Sequence, residues 1–299
     1  MTFYDYGILI DNDTKFVLFG IPWDYLTSIK APNSSIAPKK IREVTFDLAL
    51  TTELGLLIPN LKVVDIGDVK IIHKEIKANL KEIKNFVDQI YEKNKYIIPV
   101  MIGGDHFCTF PVFKAIGKNL ENKETLGILL FDSHLDLYNE WDKRVYSHAT
   151  VTHRIYDLDY VNNKNLLIVG TRDIDIPEIE IAKSENITYF NSYILSDIGL
   201  DKYINNIITF YKSSGIESLY ISIDIDVLDP SIAPATGFPI PGGFTYREFW
   251  KILKRISKEF KIIGFDLVEV APNLDLSNHI TSNLAAKLII EFISFISIK

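Results

Sequence analysis

The chain has 299 residues, 47% hydrophobic and 24% charged, with a mean hydropathy of +0.11. That is ample apolar material for a full-size core and excludes both a disordered tail and a small disulfide-stapled domain. Lys and Arg number 32 against 39 Asp and Glu, a net charge of -7, the wrong sign for a chain held to nucleic acid by phosphate contacts. Cys108 is the single cysteine, so a reducing compartment is expected and any metal site must be built from His, Asp and Glu. The N-terminal stretch lacks a basic segment followed by an apolar one, and no run reaches roughly 18 unbroken apolar residues. The expectation is a cytoplasmic protein with no membrane partner.

Short runs rich in Ile, Val, Leu and Phe occur at 16–19, 63–66, 97–102, 126–131, 166–169, 187–190, 219–223 and 262–265. They are apolar on both faces and bounded by Gly, Asp or Asn, the pattern of buried parallel strands. Between them, amphipathic stretches at 38–50, 73–93, 109–118, 149–156, 195–211, 245–258 and 279–295 predict helices. In 73–93, for example, Ile76, Leu80, Ile83, Phe86, Val87 and Ile90 recur at spacings of three and four among Lys, Glu and Asn. The alternation reads as one α/β domain over residues 1–299, doubly wound or barrel-like, with a parallel sheet.

Ligands of open parallel sheets bind beyond the carboxyl ends of the strands, and four of those ends carry polar clusters. They are Gly103-Gly104-Asp105-His106, Asp132-Ser133-His134-Leu135-Asp136, Asp224-Ile225-Asp226 and Asp266-Leu267-Val268-Glu269. Residues two apart in extended chain face one side, so Asp132, His134 and Asp136 are expected to project together, as are Asp224 and Asp226. Carboxylates a few ångströms apart repel and raise one another's pKa values, so the cluster needs a cation. Hard oxygen ligands with two imidazoles, His106 and His134, and no sulfur favour Mn²⁺. Two divalent ions balance four carboxylates, with Asp132 and Asp224 placed to bridge them. A lone Asp after a strand is ordinarily a cap or an Asx turn, and a lone buried His ordinarily a hydrogen-bonded core residue. Their joint occurrence at strand ends is what points to metal.

The first two of those motifs, with Ser147-His148-Ala149-Thr150 and the run from Ser222 to Pro230 that contains Asp224-Ile225-Asp226, resemble the signatures of the arginase and agmatinase (ureohydrolase) family. Glu269, in Asp-Leu-Val-Glu-Val-Ala-Pro, matches a fifth motif. The resemblance covers nearly the whole chain, from Gly20-Ile21-Pro22-Trp23-Asp24 through Pro38, Arg42 and Asp65-Ile66-Gly67-Asp68 to the last helix. It implies a three-layer α/β/α sandwich with a mainly parallel sheet of about eight strands, two Mn²⁺ per chain, a trimer or hexamer, and hydrolysis of a guanidino group to urea plus an amine. Carried over by residue, His106, Asp132, Asp136 and Asp224 would hold one ion, and Asp132, His134, Asp224 and Asp226 the other. A guanidinium is a poor electrophile, so its hydrolysis needs hydroxide near pH 7, which metal coordination supplies by lowering a water's pKa from about 15.7 to around 7. Glu269 would orient the guanidinium, and His148 would be the proton shuttle to the leaving amine. His73 and His279 are expected to be solvated or capping, His153 carries no assigned chemistry, and Cys108 is expected to be a small packed residue.

The loop 137–146 holds acidic and aromatic residues where arginase carries an Asn-, Thr- and Ser-rich loop for an α-carboxylate. Glu140 and Asp142 are expected to meet an amine, and Tyr138 and Trp141 to wall an alkyl chain. This resembles the agmatinase branch and points to agmatine, cleaved to putrescine and urea. Lys143 and Arg144 keep a carboxylate-bearing substrate such as guanidinobutyrate open, beside arginine and formimino compounds. Phe238 after Thr236-Gly237, and Lys30-Ala31-Pro32-Asn33 near the pocket mouth, depart from the family pattern. From a different class, a non-catalytic metal-stabilised scaffold would explain the ligands without explaining His148 and Glu269. A zinc deacetylase of the same general fold fails because six ligands in four motifs suit two ions.

Overall fold

A computed structural model of the chain describes residues 1–25, 33–72 and 74–298. The expectations for His73 and for residues 30–32 fall outside the described residues. Eight strands form one sheet: β1 (Phe16–Gly20), β2 (Val63–Asp68), β3 (Ile98–Ile102), β4 (Leu126–Phe131), β5 (Leu166–Thr171), β6 (Thr188–Asn191), β7 (Ser218–Asp224) and β8 (Lys261–Val268). Their order is β2-β1-β3-β8-β7-β4-β5-β6, and every pairing is parallel. Successive side chains of a strand enter opposite cores. Phe16, Leu18, Leu129 and Phe131 pack on one face, and Val17, Phe19, Ile128 and Leu130 on the other. Both faces are therefore apolar, which is why the strands read as unbroken hydrophobic runs.

The first face is covered by α1 (Ala37–Val44), α7 (Leu200–Ser213), α8 (Tyr246–Glu259) and α9 (Ile280–Ser297), and the second by α2 (Ile76–Lys93), α3 (Thr109–Asn119) and α4 (Val151–Tyr156). The result is a three-layer α/β/α sandwich. Helix α9 is long and apolar enough to cross a membrane, yet 72% of it is buried inside the protein, with Phe292 edge-on to Phe265 and Phe295 edge-on to Trp250.

Two local features depart from the sequence reading. The expected helix at 195–211 is two, α6 (Tyr193–Ile198) and α7, because Gly199 between them takes φ 82°. Helix α5 (Ile176–Ser184) was not anticipated, since its apolar residues make no clear face. Its start is nevertheless written in the chain as Asp175, Pro177 and Glu178, a capping box with an early proline. Pro99 lies in an interior strand, where a missing N–H would ordinarily break a ladder. It pairs with Val17 of β1, whereas β8 joins β3 only from Val100 onward.

The sheet's edge at β2 is held by Arg42, only 4% exposed. Its Nε and Nη2 donate to the two oxygens of Asp65 at 2.6 and 2.9 Å, and its Nη1 donates to Asp68 at 2.6 Å and to the Pro38 carbonyl at 3.2 Å. Asp65 also accepts the Phe3 N–H. Removing the guanidinium strands a buried carboxylate. Arg42→Ala is expected to lower stability by about 3–5 kcal/mol in denaturant titration; a loss below about 1 kcal/mol would refute this assignment.

Candidate metal centre and its cavity

The ends of the four adjacent strands β3, β8, β7 and β4 meet at the middle of the sheet. After β3, Gly103 and Gly104 permit close approach. A Cβ on Gly104 would stand 2.1 Å from the Trp23 carbonyl oxygen, and one on Gly103 2.6 Å from Val268 Cγ1. Neither glycine is among the positive-φ residues, so what they supply is steric room. The Asp105 N–H then donates to the Trp23 carbonyl at 2.9 Å, and His106 opens a short 3-10 turn. The His106 N–H donates to Glu269 Oε1 at 2.7 Å, while the Glu269 N–H donates to the Gly104 carbonyl at 2.8 Å. Glu269 takes φ 63° and Asp136 φ 51°, left-handed conformations that cost of order 1–3 kcal/mol each and persist where surrounding structure enforces them.

The six residues expected as ligands converge. His106 Nδ1 lies 3.0 Å from Asp132 Oδ2, 3.1 Å from Asp136 Oδ2 and 3.4 Å from Asp224 Oδ2. His134 Nδ1 lies 3.3 Å from Asp132 Oδ1 and 3.1 Å from Asp226 Oδ2. Two groups result, His106-Asp132-Asp224 and Asp132-His134-Asp226. The mechanism of convergence differs from the expected strand alternation. Asp132 Oδ1 accepts the His134 N–H at 2.7 Å, and Asp224 Oδ1 accepts the Asp226 N–H at 2.9 Å. These Asx turns bend the chain, so Asp136 and Asp224 go to the His106 side while His134 and Asp226 go to the other. Asp132 belongs to both groups and Asp224 to the His106 group.

The electrostatics favour cations here. Burial opposes charge on His106 and His134, yet the surrounding carboxylates hold both imidazoles well above the ordinary histidine range. Burial also opposes charge on Asp132, which those imidazoles hold below the ordinary carboxylate range. Burial and Asp132 push Asp136 up to about 8, and burial, partly offset by His106, pushes Glu269 up to about 7. Burial and Asp226 drive Asp224 well up. Protons stand in for positive charge. The buried His106 Nδ1 has no hydrogen-bond partner although three carboxylate oxygens face it within 3.4 Å. Ligand atoms about 2.1 Å from one octahedral ion sit about 3 Å apart, so the spacing and the donor set fit a hard divalent cation.

A cavity of about 300 Å³ opens above the cluster, lined by His134, Asp136, Asp224, Asp226 and Glu269 at one end and by Tyr138, Trp141, Asp173, Asp175 and Glu178 further out. His148, Thr236, Gly237 and Phe238 complete much of the wall. His148 opens the turn leading into α4 behind a reciprocal Ser147–Thr150 cap, with its Nδ1 3.2 Å from Ser147 Oγ. Phe238 stands edge-on to His134 at 5.7 Å, an apolar wall beside a cluster imidazole. Tyr138 packs on Trp141 at 4.7 Å and donates its hydroxyl to Asp175 at 2.5 Å.

Glu140 is not brought to the cavity, and neither are Asp142, Lys143 and Arg144. The Trp141–Arg144 bridge, with Asp142 and Lys143 at positive φ, turns this tip away. Arg144 instead pairs with Asp142 at 3.6 Å and donates to the Tyr25 carbonyl at 3.4 Å. The outer carboxylates come from the segment after β5 and the first turn of α5, as Asp173, Asp175 and Glu178. The strand-end rule that located the other clusters would have found these three had it been applied to residues 170–178. His153 Nδ1 lies 3.0 Å from the Leu137 carbonyl, His279 Nε2 lies 3.0 Å from Lys40 Nζ, and Cys108 is fully buried.

Residues 14–294 match the model of the Arginase family. The chain is 33% identical to the agmatinase of Bacillus subtilis over 284 residues, covering 94% of this chain and 92% of the relative. It is 28% identical to the N(1)-aminopropylagmatine ureohydrolase of Thermococcus kodakarensis, covering 89% and 86%. The crystal structure of agmatine ureohydrolase from Thermoplasma volcanium superposes with a TM-score of 0.85 at 28% identity, covering 99% of this chain and 94% of that one. The His- and Asp-bearing strand ends and the sheet that gathers them thus have a common origin: the chain belongs to the arginase family and is a ureohydrolase, an enzyme that hydrolyses guanidino carbon–nitrogen bonds.

Proposed function

We propose that this chain is an agmatinase, releasing urea and putrescine from agmatine with two Mn²⁺ held by His106, Asp132, His134, Asp136, Asp224 and Asp226. The observation that carries the substrate is the cavity wall. Among the described residues it presents no Lys or Arg and, beyond the carboxylates assigned to metal, four others: Asp173, Asp175, Glu178 and Glu269. Arginine and guanidinobutyrate each carry a carboxylate that this wall would repel, whereas agmatine is a dication with none. Arg172, next to the wall, has its guanidinium committed to the carbonyls of Gly170, Asp226, Leu228 and Ile240.

The bound ions would supply a water acidified to near neutrality and Lewis-acid stabilisation of developing charge. Glu269, anchored through Oε1 on the His106 N–H, receives the guanidinium by a charge-assisted contact and presents its carbon to the cluster. Tyr138 and Trp141 flank the butyl chain and shield it from water, and Asp173 and Asp175 meet the distal ammonium. Hydroxide addition to the guanidinium carbon leaves an amine that departs only once protonated, and His148 delivers that proton. The family resemblance supports a homo-oligomeric enzyme of putrescine synthesis. The aminopropyl relative makes an N-substituted agmatine the second substrate to test, since Asp173, Asp175 and Glu178 offer more negative charge than one ammonium requires.

Urea release should be at least roughly tenfold faster, by kcat/KM, with agmatine than with arginine or guanidinobutyrate after Mn²⁺ loading, a difference of about 1.4 kcal/mol. Comparable rates on a carboxylate-bearing substrate would refute the substrate assignment. Asp132→Ala should abolish activity and lose metal by elemental analysis. His148→Ala should keep its metal and slow turnover by roughly 10²–10⁴-fold; full activity would remove His148 from the mechanism. In metal-free protein, His106, His134, Asp136 and Glu269 all have raised pKa values, so the fold binds more protons than the unfolded chain and stability falls as pH rises. Melting temperature should therefore decline from about pH 5 to about pH 8 and be restored by Mn²⁺, most strongly at the upper end. A metal-free profile that rises over that window would contradict the protonated-cluster description.

A further inference from the structure

Asp266 on β8 is a fully buried carboxylate that the mechanism above does not use and that is no part of the cavity wall. Both of its oxygens are occupied by hydroxyl donors. Tyr220 donates to Oδ2 at 2.6 Å and Ser222 to Oδ1 at 2.7 Å. The sheet register produces this arrangement. Ser222 of β7 pairs directly with Asp266, and Tyr220 pairs with Gly264. A Cβ on Gly264 would meet the Tyr220 ring at 3.0 Å, so the glycine gives the ring room to lie across β8 and reach Asp266.

Ser222 has one hydrogen, and it goes to Asp266. At its 3.1 Å contact with His106 Nε2 the serine can therefore only accept, which requires the imidazole to carry a proton on Nε2. Thr109 Oγ1 lies 3.1 Å from Ser222 Oγ and also hydrogen-bonds Asp266, so it closes the same buried network. With the proton fixed on Nε2, a neutral His106 presents an unprotonated Nδ1 to Asp132, Asp136 and Asp224, the form in which imidazole binds a cation. Tyr220, Ser222, Thr109 and Asp266 are all 0% exposed, so water does not compete for these contacts. His134 is held differently. Its side chain is 21% exposed, its Nε2 lies 3.8 Å from Asp173, and Ser133 Oγ contacts the same Nδ1 that faces the cluster.

We propose that Tyr220, Asp266 and Ser222 form a buried positioning relay that locks the tautomer and ring orientation of His106, and so sets the affinity of the His106-side metal without acting on the His134 side. The proposal rests on the reading of the cluster as a two-ion centre. Outer partners of metal-bound histidines typically control 10–100-fold in metal affinity.

Two variants test it, Ser222→Ala, which breaks the contact to His106, and Tyr220→Phe, which keeps the ring and loosens only Asp266. Mn²⁺ binding is measured by equilibrium dialysis. The imidazole ¹⁵N spectrum of Zn²⁺-loaded protein reports which His106 nitrogen carries hydrogen, and thermal melts of the metal-free proteins report folding. The expected result is one of two metal sites weakened by roughly 10–100-fold in Ser222→Ala and by less in Tyr220→Phe, the other site unchanged, and a wild-type His106 protonated at Nε2. Unaltered affinity in folded variants, equal weakening of both sites, or a wild-type His106 lacking the Nε2 hydrogen would overturn the relay. Failure of the wild-type chain to bind Mn²⁺ would overturn the two-ion centre itself, and the relay with it.

Discussion

Charge compensation at the middle of the sheet is the constraint on which the rest depends. Four aspartates and Glu269, each no more than 7% exposed, face two imidazoles within a few ångströms. Without cations the cluster must take up protons: burial and Asp132 push Asp136 up to about 8, and the carboxylates hold both imidazoles high against the effect of burial. With two divalent ions the formal charge of the chain would move from -7 to -3, by adding 4. On the proposed reading, a mildly acidic protein would become one whose charge, stability and activity are tied to the same residues.

The fold serves this constraint by bringing four strand ends together. The carboxyl ends of β3, β8, β7 and β4 are neighbours although they are far apart in sequence. Each end then bends by its own device: the close backbone approach at Gly104, the Asx turns of Asp132 and Asp224, and the left-handed backbone at Asp136 and Glu269. Strain at Asp136 and Glu269 is tolerated because the Asp136 carbonyl accepts the Thr152 N–H and the Glu269 N–H is bound by Gly104. Stability that supports the site is supplied elsewhere, as in the buried Arg42 pair with Asp65.

The cavity extends the same electrostatic character outward. Its outer end adds Asp173, Asp175 and Glu178 beside the Tyr138–Trp141 pair, and the nearby cations are turned to other tasks: Arg172 to backbone carbonyls, Arg144 to Asp142 and the Tyr25 carbonyl. Glu178 is itself structural in part. Burial raises its pKa while its oxygens accept the N–H groups of Leu137 and Asp175, so it ties the loop after β4 to the start of α5. On the proposed reading, acidic walls would select a cationic substrate, and aromatic ones its alkyl chain.

Much of this was legible in the chain because its signals are local. The strands announce themselves as short apolar runs, buried on both faces in the middle of the sheet and half-buried at the β6 edge, and the ligand motifs stand directly at strand ends, where a parallel sheet places ligands. Local signals also located α5 in retrospect, through Asp175, Pro177 and Glu178. What the sequence by itself determined is the inventory: which residue types sit at which strand ends, and that so many carboxylates cannot stand together without cations. Tertiary structure alone decided the partition. It sent Asp136 toward His106 and His134 toward Asp226, turned Glu140 away while bringing in Asp173 and Asp175, and set Asp266 behind His106. Those outcomes depend on strand order, on register such as Ser222 against Asp266, and on steric gaps such as Gly264 beneath Tyr220. Such relations join residues distant in the chain, and no local pattern of residues encodes them.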